Sequence, residues 1–181
     1  MLQSAERALG HWLEKRYTCP NWWHNEIGVP QQMRDIIILL DTALSFSQRK
    51  GALEVLAQYR IHDNTTGANL AWSADLGLHY GALTSNPDLV KECVRLILKE
   101  IKITTADGVQ PDYSFHQHDK RLQMYQYGEA FLSENTRLAW QLRGTALAFP
   151  KDKLQLLSDF GLDVVVLRME PRELILELED I

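Results

Sequence analysis

LAWSADLGLHYGALTSNPDLVKECVRLILKEI, residues 70–101, decides the fold class. Leu70, Ala74, Leu78 and Ala82 fall on one stripe at helical spacing and predict a helix over 70–83. Asn86-Pro87-Asp88 then supplies an N-cap followed by proline at the first helical position. The helix behind it runs to about Ile101, its course marked by Leu89, Val90, Cys93, Leu96, Ile97 and Glu100. Two helices joined by a short polar turn recur, as a pattern, in both directions along the chain.

Toward the N-terminus, Leu9, Trp12 and Leu13 predict a helix over 3–16. Pro20 and NWWHNEIGVP (21–30) read as a loop, and Pro30 suits the first turn of a helix over 31–47. That helix carries Met33, Ile36, Ile37, Leu40 and Leu44 at core spacing. Leu53, Val55, Leu56 and Tyr59 mark a further short helix, and HDNTTGAN (62–69) is a polar turn. Toward the C-terminus, 104–126 holds Asp107-Gly108, Pro111 and a dense set of Tyr, Phe and His. It reads as a long ordered loop of the kind that carries function. Helix resumes near Gly128 and reaches about Ala146, and another helix, 151–160, follows Pro150. The tail 163–181 alternates apolar and charged residues, as a strand pair or a short helix would. There is no low-complexity run and no short-period repeat. The fold class is all-α, built of stacked helical hairpins whose loops gather Trp, Asn, His and Tyr into one groove.

The chain has 181 residues, with 45% hydrophobic and 24% charged, ordinary values for a globular domain. Lys and Arg number 19 against 24 Asp and Glu, a net charge of −5 that argues against a dedicated nucleic-acid binder. A local basic groove for an anionic sugar remains compatible with it. No run of about 18 apolar residues exists to span a membrane, and MLQSAERALGHWLEKRY lacks the basic start and apolar stretch of a signal peptide. Cys19 and Cys93 are too few for a disulfide scaffold or a zinc cluster. Five Trp and six Tyr suit stacking on sugar rings, although aromatics are more often core residues.

Three loop motifs occur in order. They are Asn21-Trp22-Trp23-His24-Asn25-Glu26-Ile27-Gly28-Val29-Pro30, then Thr66-Gly67-Ala68-Asn69, then Asp107-Gly108-Val109-Gln110-Pro111-Asp112-Tyr113-Ser114-Phe115-His116-Gln117-His118 followed by Tyr127-Gly128. Together they resemble polysaccharide lyase family 8, which includes chondroitin AC, chondroitin ABC, hyaluronate and xanthan lyases. The resemblance covers about Trp12 to Phe160. It implies a partial (α/α) toroid of helical hairpins over 1–161, incomplete relative to the family, with a divergent tail over 162–181. It also implies β-elimination at a uronic acid of an acidic polysaccharide, with no metal and no other cofactor. PDYSFHQH resembles the chondroitin lyases most. A secreted or periplasmic location, and no nucleic-acid or membrane partner, follow from the same resemblance.

The chemistry explains the residue types. The C5 proton of a uronate is a poor acid because its removal builds a dianionic, enolate-like species. The neighbouring carboxylate must therefore be neutralised by hydrogen bonds aimed at the developing charge. On the resemblance, Asn69 and His118 do this, and Tyr127 takes the proton and returns it to the leaving glycosidic oxygen. A phenol ordinarily ionises at about pH 10, so such a base needs a lowered pKa or a partner that shares its proton. Trp22 and Trp23 match the family's aromatic patch, and Asn25, His116 and Arg121 are further substrate-binding candidates.

Each residue also has a plainer reading. Asn69 suits an N-cap, and Tyr127 a packing residue before Gly128. His116 and His118 are spaced like metal ligands but lack a third ligand. Trp22 and Trp23 are neighbours, so both cannot easily be buried. Where the family has Gly-Pro-Gln after the histidine, this chain has Asp119-Lys120-Arg121. Lys120 and Arg121 could pair with sulfate or carboxylate, or form a solvated turn. The family's later catalytic arginine and glutamate have no match, since Arg168 and Arg172 lie in the divergent tail. The expectation is a fragment of a lyase or a short gene product: catalytic, or an inactive remnant that still binds carbohydrate. Helix faces left uncovered by missing hairpins would favour self-association or marginal stability.

Overall fold

A computed structural model describes residues 2–162. The tail expected to form a strand pair or short helix, with Arg168 and Arg172, lies outside them. The described residues contain seven α-helices: α1 (Leu2–Lys15), α2 (Val29–Leu40), α3 (Phe46–Leu56), α4 (Gly67–Leu83), α5 (Pro87–Glu100), α6 (Glu129–Leu142) and α7 (Lys151–Phe160). Three short strands interrupt them: β1 (Gly108–Val109), β2 (Phe115–Gln117) and β3 (Arg121–Leu122). The chain is mostly helical, as expected. The described residues form two compact units, 2–61 with Leu76–Val90, and His62–Asp75 with 91–162.

In the first unit, Leu9, Met33, Ile37, Leu44, Ala52, Val55, Leu56 and Leu76 form the core. An apolar groove of about 540 Å³ also opens there, lined by Ala5, Leu9, Trp12, Val29, Met33 and Ile36. The helix expected over 31–47 stops at Leu40. A single 3-10 turn, Asp41–Ala43, follows, in which Asp41 adopts φ 33°. Leu44 still reaches the core, which is why helical spacing extended the helix too far. The break is enforced by Ser45, whose Oγ accepts from the Gln48 N–H at 3.3 Å while Gln48 Oε1 accepts from the Ser45 N–H at 3.0 Å. This reciprocal capping box starts α3. Ser45→Ala should cost about 1 kcal/mol, read from a urea unfolding curve. An unchanged midpoint would mean that the cap contributes nothing.

NWWHNEIGVP is not a loop. From Trp22 it is helical, with a π-turn over His24–Gly28 that runs directly into α2. The Val29 N–H donates to the His24 carbonyl, five residues back. This wide turn accommodates Pro30, which lacks an N–H and whose ring would crowd the preceding turn of a regular helix.

The second unit is built around Phe115, whose ring meets Phe131 and Phe160 at centroid distances of 5.2 and 6.0 Å. The segment expected to be a loop, 104–126, is instead a small antiparallel ribbon in the order β1-β2-β3. Gly108 pairs with His116, Val109 with Phe115, His116 with Leu122 and Gln117 with Arg121. Strands of two or three residues are too short to show an alternating pattern in sequence. α6 ends at Leu142 rather than near Ala146, since Gly144 takes φ 72°. α5 begins as expected, with the Leu89 N–H donating to Asn86 Oδ1 at 3.1 Å. Among the described helices none is long and apolar enough to cross a membrane.

Candidate functional site

Of the motif residues, the second unit holds Asn69, His116, His118, Arg121 and Tyr127, and the first holds Trp22, Trp23 and Asn25.

In the second unit, β2 places Phe115 and Gln117 inward, which puts His116 on the opposite face. His118 opens the three-residue turn between β2 and β3. Its neighbour Tyr127 lies in a second π-turn, Met124–Gly128, which runs into α6 just as the first runs into α2. The Gly128 N–H donates to the Gln123 carbonyl at 2.9 Å, again five residues back. Gly128 fits closely there, because a Cβ would lie 3.0 Å from the Phe115 Cβ and would push the two segments apart by a few tenths of an ångström. The glycine after the tyrosine thus lets the tyrosine turn sit directly on the strand that carries the histidines.

The result is one short contact. His118 Nε2 and the Tyr127 hydroxyl are 2.6 Å apart, with the two rings edge to face at 4.8 Å. Trp72, on α4, places its ring 5.9 Å from that of Tyr127. His118 is exposed and Tyr127 half-buried, so the pair is open to solvent on one side. A proton shared between an imidazole nitrogen and a phenol oxygen at this distance can move either way, which suits general acid–base work.

Asn69 is not an N-cap. It sits within the first turn of α4, which begins at Gly67. The free N–H groups at that helix start are taken by other residues: Gly67 donates to Glu100 Oε1 at 2.6 Å, and Ala68 to Gln117 Oε1 at 3.1 Å. Asn69 Oδ1 is buried and without a hydrogen-bond partner, as is His116 Nδ1. Buried polar atoms are rarely left so, and both belong to residues singled out from the motifs. Arg121 is exposed on β3, and Lys120 is exposed in the turn before it.

In the first unit, Trp22 is 50% exposed, whereas the Trp23 ring lies against Gly28 and edge-on to His24 at 5.3 Å. Only one of the two therefore offers an open aromatic face. Asn25 is occupied by the backbone: its Oδ1 accepts from the Cys19 N–H at 2.9 Å, and its Nδ2 donates to the Cys19 carbonyl at 2.6 Å. It holds the chain entering the π-turn.

Both cysteines are free thiols. Burial pushes the Cys93 thiol up to about 12, reinforced by the Glu92 and Asp75 carboxylates, so it is no nucleophile at neutral pH. No group of three or more His, Cys, Asp or Glu among the described residues is arranged to hold a metal ion.

Comparison with known proteins gives a consistent picture. The N-terminal α-helical domain of polysaccharide lyase family 8 matches residues 1–163. Chondroitinase-AC of Pedobacter heparinus is 31% identical over 176 residues, covering 90% of this chain and 24% of that protein. Hyaluronate lyase of Thermasporomyces composti is 28% identical over 167 residues, covering 88% of this chain and 22% of that protein. A chondroitinase AC lyase solved in oligosaccharide complexes superposes with a TM-score of 0.82 at 28% identity, over 91% of this chain and 25% of its own. The chain thus spans about a quarter of the length of the curated relatives it matches.

Proposed function

The chain belongs to polysaccharide lyase family 8, whose N-terminal α-helical domain matches residues 1–163, and on that premise we propose that it is the helical catalytic part of a β-eliminating lyase. The substrate is a uronic-acid-containing glycosaminoglycan of the chondroitin type, as for the chondroitinase relative. The chain's helices form part of an (α/α) toroid, and the protein works outside the cytoplasm, secreted or periplasmic, where such polymers occur.

The observation that carries the reading is the 2.6 Å pairing of His118 with Tyr127. In the reaction, the Tyr127 oxygen takes the C5 proton while His118 accepts a share of the phenol proton. Electrons of the C5–H bond form the C4=C5 double bond, and the C4–O glycosidic bond breaks. The same proton returns to the leaving oxygen, so nothing is oxidised and no water is consumed. Asn69 and His118 stabilise the carboxylate through the enolate-like stage. Asn69 suits the role because its amide N–H group is a donor for a carboxylate and it stands in the first turn of α4. Trp22 provides the stacking face. Trp23, turned against Gly28, supports it. Asn25 is kept for the backbone, while Arg121 and His116 flank the histidine–tyrosine pair as contacts for substrate anions and hydroxyls.

The test is to incubate the purified chain with chondroitin sulfate, hyaluronan and xanthan and follow ultraviolet absorbance of the 4,5-unsaturated uronate. A rise with chondroitin sulfate that vanishes in Tyr127→Phe is the expected result. A rise that survives Tyr127→Phe would overturn the role of Tyr127. No rise from a folded chain, accompanied by quenching of tryptophan fluorescence on adding sugar, would make this chain a carbohydrate-binding remnant instead.

A further inference from the structure

Gln117 stands between the two histidines and faces the other way. It is 2% exposed, alternation along β2 turns it from the face of His116, and His118 beside it is exposed. Both ends of its amide are engaged. Oε1 accepts from the Ala68 N–H at 3.1 Å, and Nε2 donates to the Thr66 carbonyl and to Asp107 Oδ2, each at 3.3 Å. Asp107 in turn accepts from the Thr66 hydroxyl at 3.4 Å on Oδ2 and from the Lys120 N–H at 3.1 Å on Oδ1. The residue before His118 and the turn after it are therefore tied to one carboxylate and to the first turn of α4, which carries Asn69.

The turn has reason to move if released. His118, Asp119 and Lys120 adopt φ of 57°, 63° and 65°, three consecutive non-glycine residues in the left-handed region. Such a run persists only where its surroundings over-determine it. The Lys120 N–H bond to Asp107 and the Gln117 amide are the tethers that do so.

We propose that Gln117, locked by Asp107, is a positioning residue for the elimination: it holds His118 at hydrogen-bond distance from Tyr127 and in fixed register with Asn69. The inference rests on the functional reading above. Gln117 touches neither substrate nor the reacting atoms, so it acts on the rate of the chemical step rather than on binding.

The experiment follows the His118 ring nitrogens by NMR in the ¹⁵N-histidine-labelled chain, with Tyr127→Phe defining the resonance of an unpaired His118. Gln117→Met keeps the volume and removes both hydrogen-bonding atoms, and it should move His118 toward the unpaired position. Gln117→Glu should do the same, because two carboxylates then face each other and the Thr66 carbonyl loses its donor, and so should Asp107→Asn, because an amide has one acceptor oxygen where the carboxylate accepts from Gln117 and from Lys120 on two. Combining those two puts an amide opposite a carboxylate again and should return His118 part of the way to the wild-type resonance, since the Thr66 carbonyl still lacks its donor. A glutamine that only stabilised the fold would lower the unfolding midpoint in the single variants while leaving the His118 resonance of the folded chain where it is in the wild type. In assays of the unsaturated product, kcat should fall roughly tenfold to a hundredfold in the single variants. KM should stay within about twofold. His118 at its wild-type resonance in any folded single variant overturns the proposal, as does fast exchange of the Gln117 side-chain amide protons in the wild-type chain. If no chain, wild type included, forms the unsaturated product, the functional reading fails while the His118 resonance still decides the clamp.

Discussion

Gly67→Ala is expected to destabilise the chain by about 2–4 kcal/mol, combining a left-handed penalty of about 1–2 with the loss of a buried hydrogen bond. Gly67 has φ 58°, a conformation that an L side chain adopts only under strain. A Cβ there would lie 2.1 Å from Gln117 Oε1 and 3.0 Å from its Cδ. The flexible end of a side chain could often step aside, but this one is buried and held by the Ala68 N–H, the Thr66 carbonyl and Asp107. Moving it orphans the Ala68 N–H at the start of α4. At about 2–4 °C per kcal/mol for a domain of this size, the melting temperature should fall by on the order of 10 °C. In a Gln117→Ala background, where the collision and the hydrogen bond are already gone, the same glycine substitution should cost only the backbone strain of about 1–2 kcal/mol. A melting temperature within a degree or two of wild type would refute this account of the glycine. The small residue in Thr66-Gly67-Ala68-Asn69 is thus explained twice, by its backbone angle and by the amide that reaches over it.

That explanation could not be reached from the sequence, and the reason is physical. α5 was legible because its signals are local: Asn86 caps it, Pro87 opens it and Cys93, Val94 and Ile97 bury one stripe. α7 likewise follows directly from Pro150. α2 was drawn too long because Leu44 is in helical phase with Leu40 and does reach the core, while the Ser45–Gln48 capping box, also local, was the better signal. Both π-turns were missed. A single wide turn changes no residue pattern, yet it lets Pro30 continue a helix and puts Tyr127 against His118. The ribbon was missed because Phe115–Gln117 shows only one alternation. For the site, the motifs named Asn69, His118 and Tyr127, but the pairing of the last two, nine residues apart, depends on the β2–β3 turn and the π-turn between them, neither of which has a residue pattern. Gln117 had no signal beyond its place between two histidines. Had β2 been recognised, its inward position would have marked it.

The second large effect is expected from Arg137→Met, a loss of roughly 3–5 kcal/mol, because the substitution withdraws a cation from two buried carboxylates. Arg137 Nη2 donates to Asp75 Oδ1 at 2.8 Å and also to Glu134 Oε1, and Nη1 donates to Gln141 Oε1 at 2.9 Å. The Asp75 side chain is 0% exposed and that of Glu134 12%, so neither charge can turn to bulk water without local opening. The attraction across such a pair barely exceeds the cost of desolvating it, which is why its intact presence says little about net stability. Removing one partner is different, since each carboxylate keeps its desolvation cost and loses the guanidinium that offset part of it. Asp75 lies on α4, the helix of Asn69, and Arg137 on α6, the helix that continues from the Tyr127 turn. The pair therefore fastens together the two helices that carry the candidate catalytic groups, and its loss should loosen the His118–Tyr127 contact as well as lower the unfolding midpoint. Adding Asp75→Asn to Arg137→Met removes the more deeply buried of the stranded charges, so the double variant should be more stable than Arg137→Met alone. A loss below about 1 kcal/mol for Arg137→Met, the size of an exposed pair, would show that Asp75 and Glu134 find other compensation. The order of the two variants in urea unfolding decides between a stranded charge and a simple loss of packing.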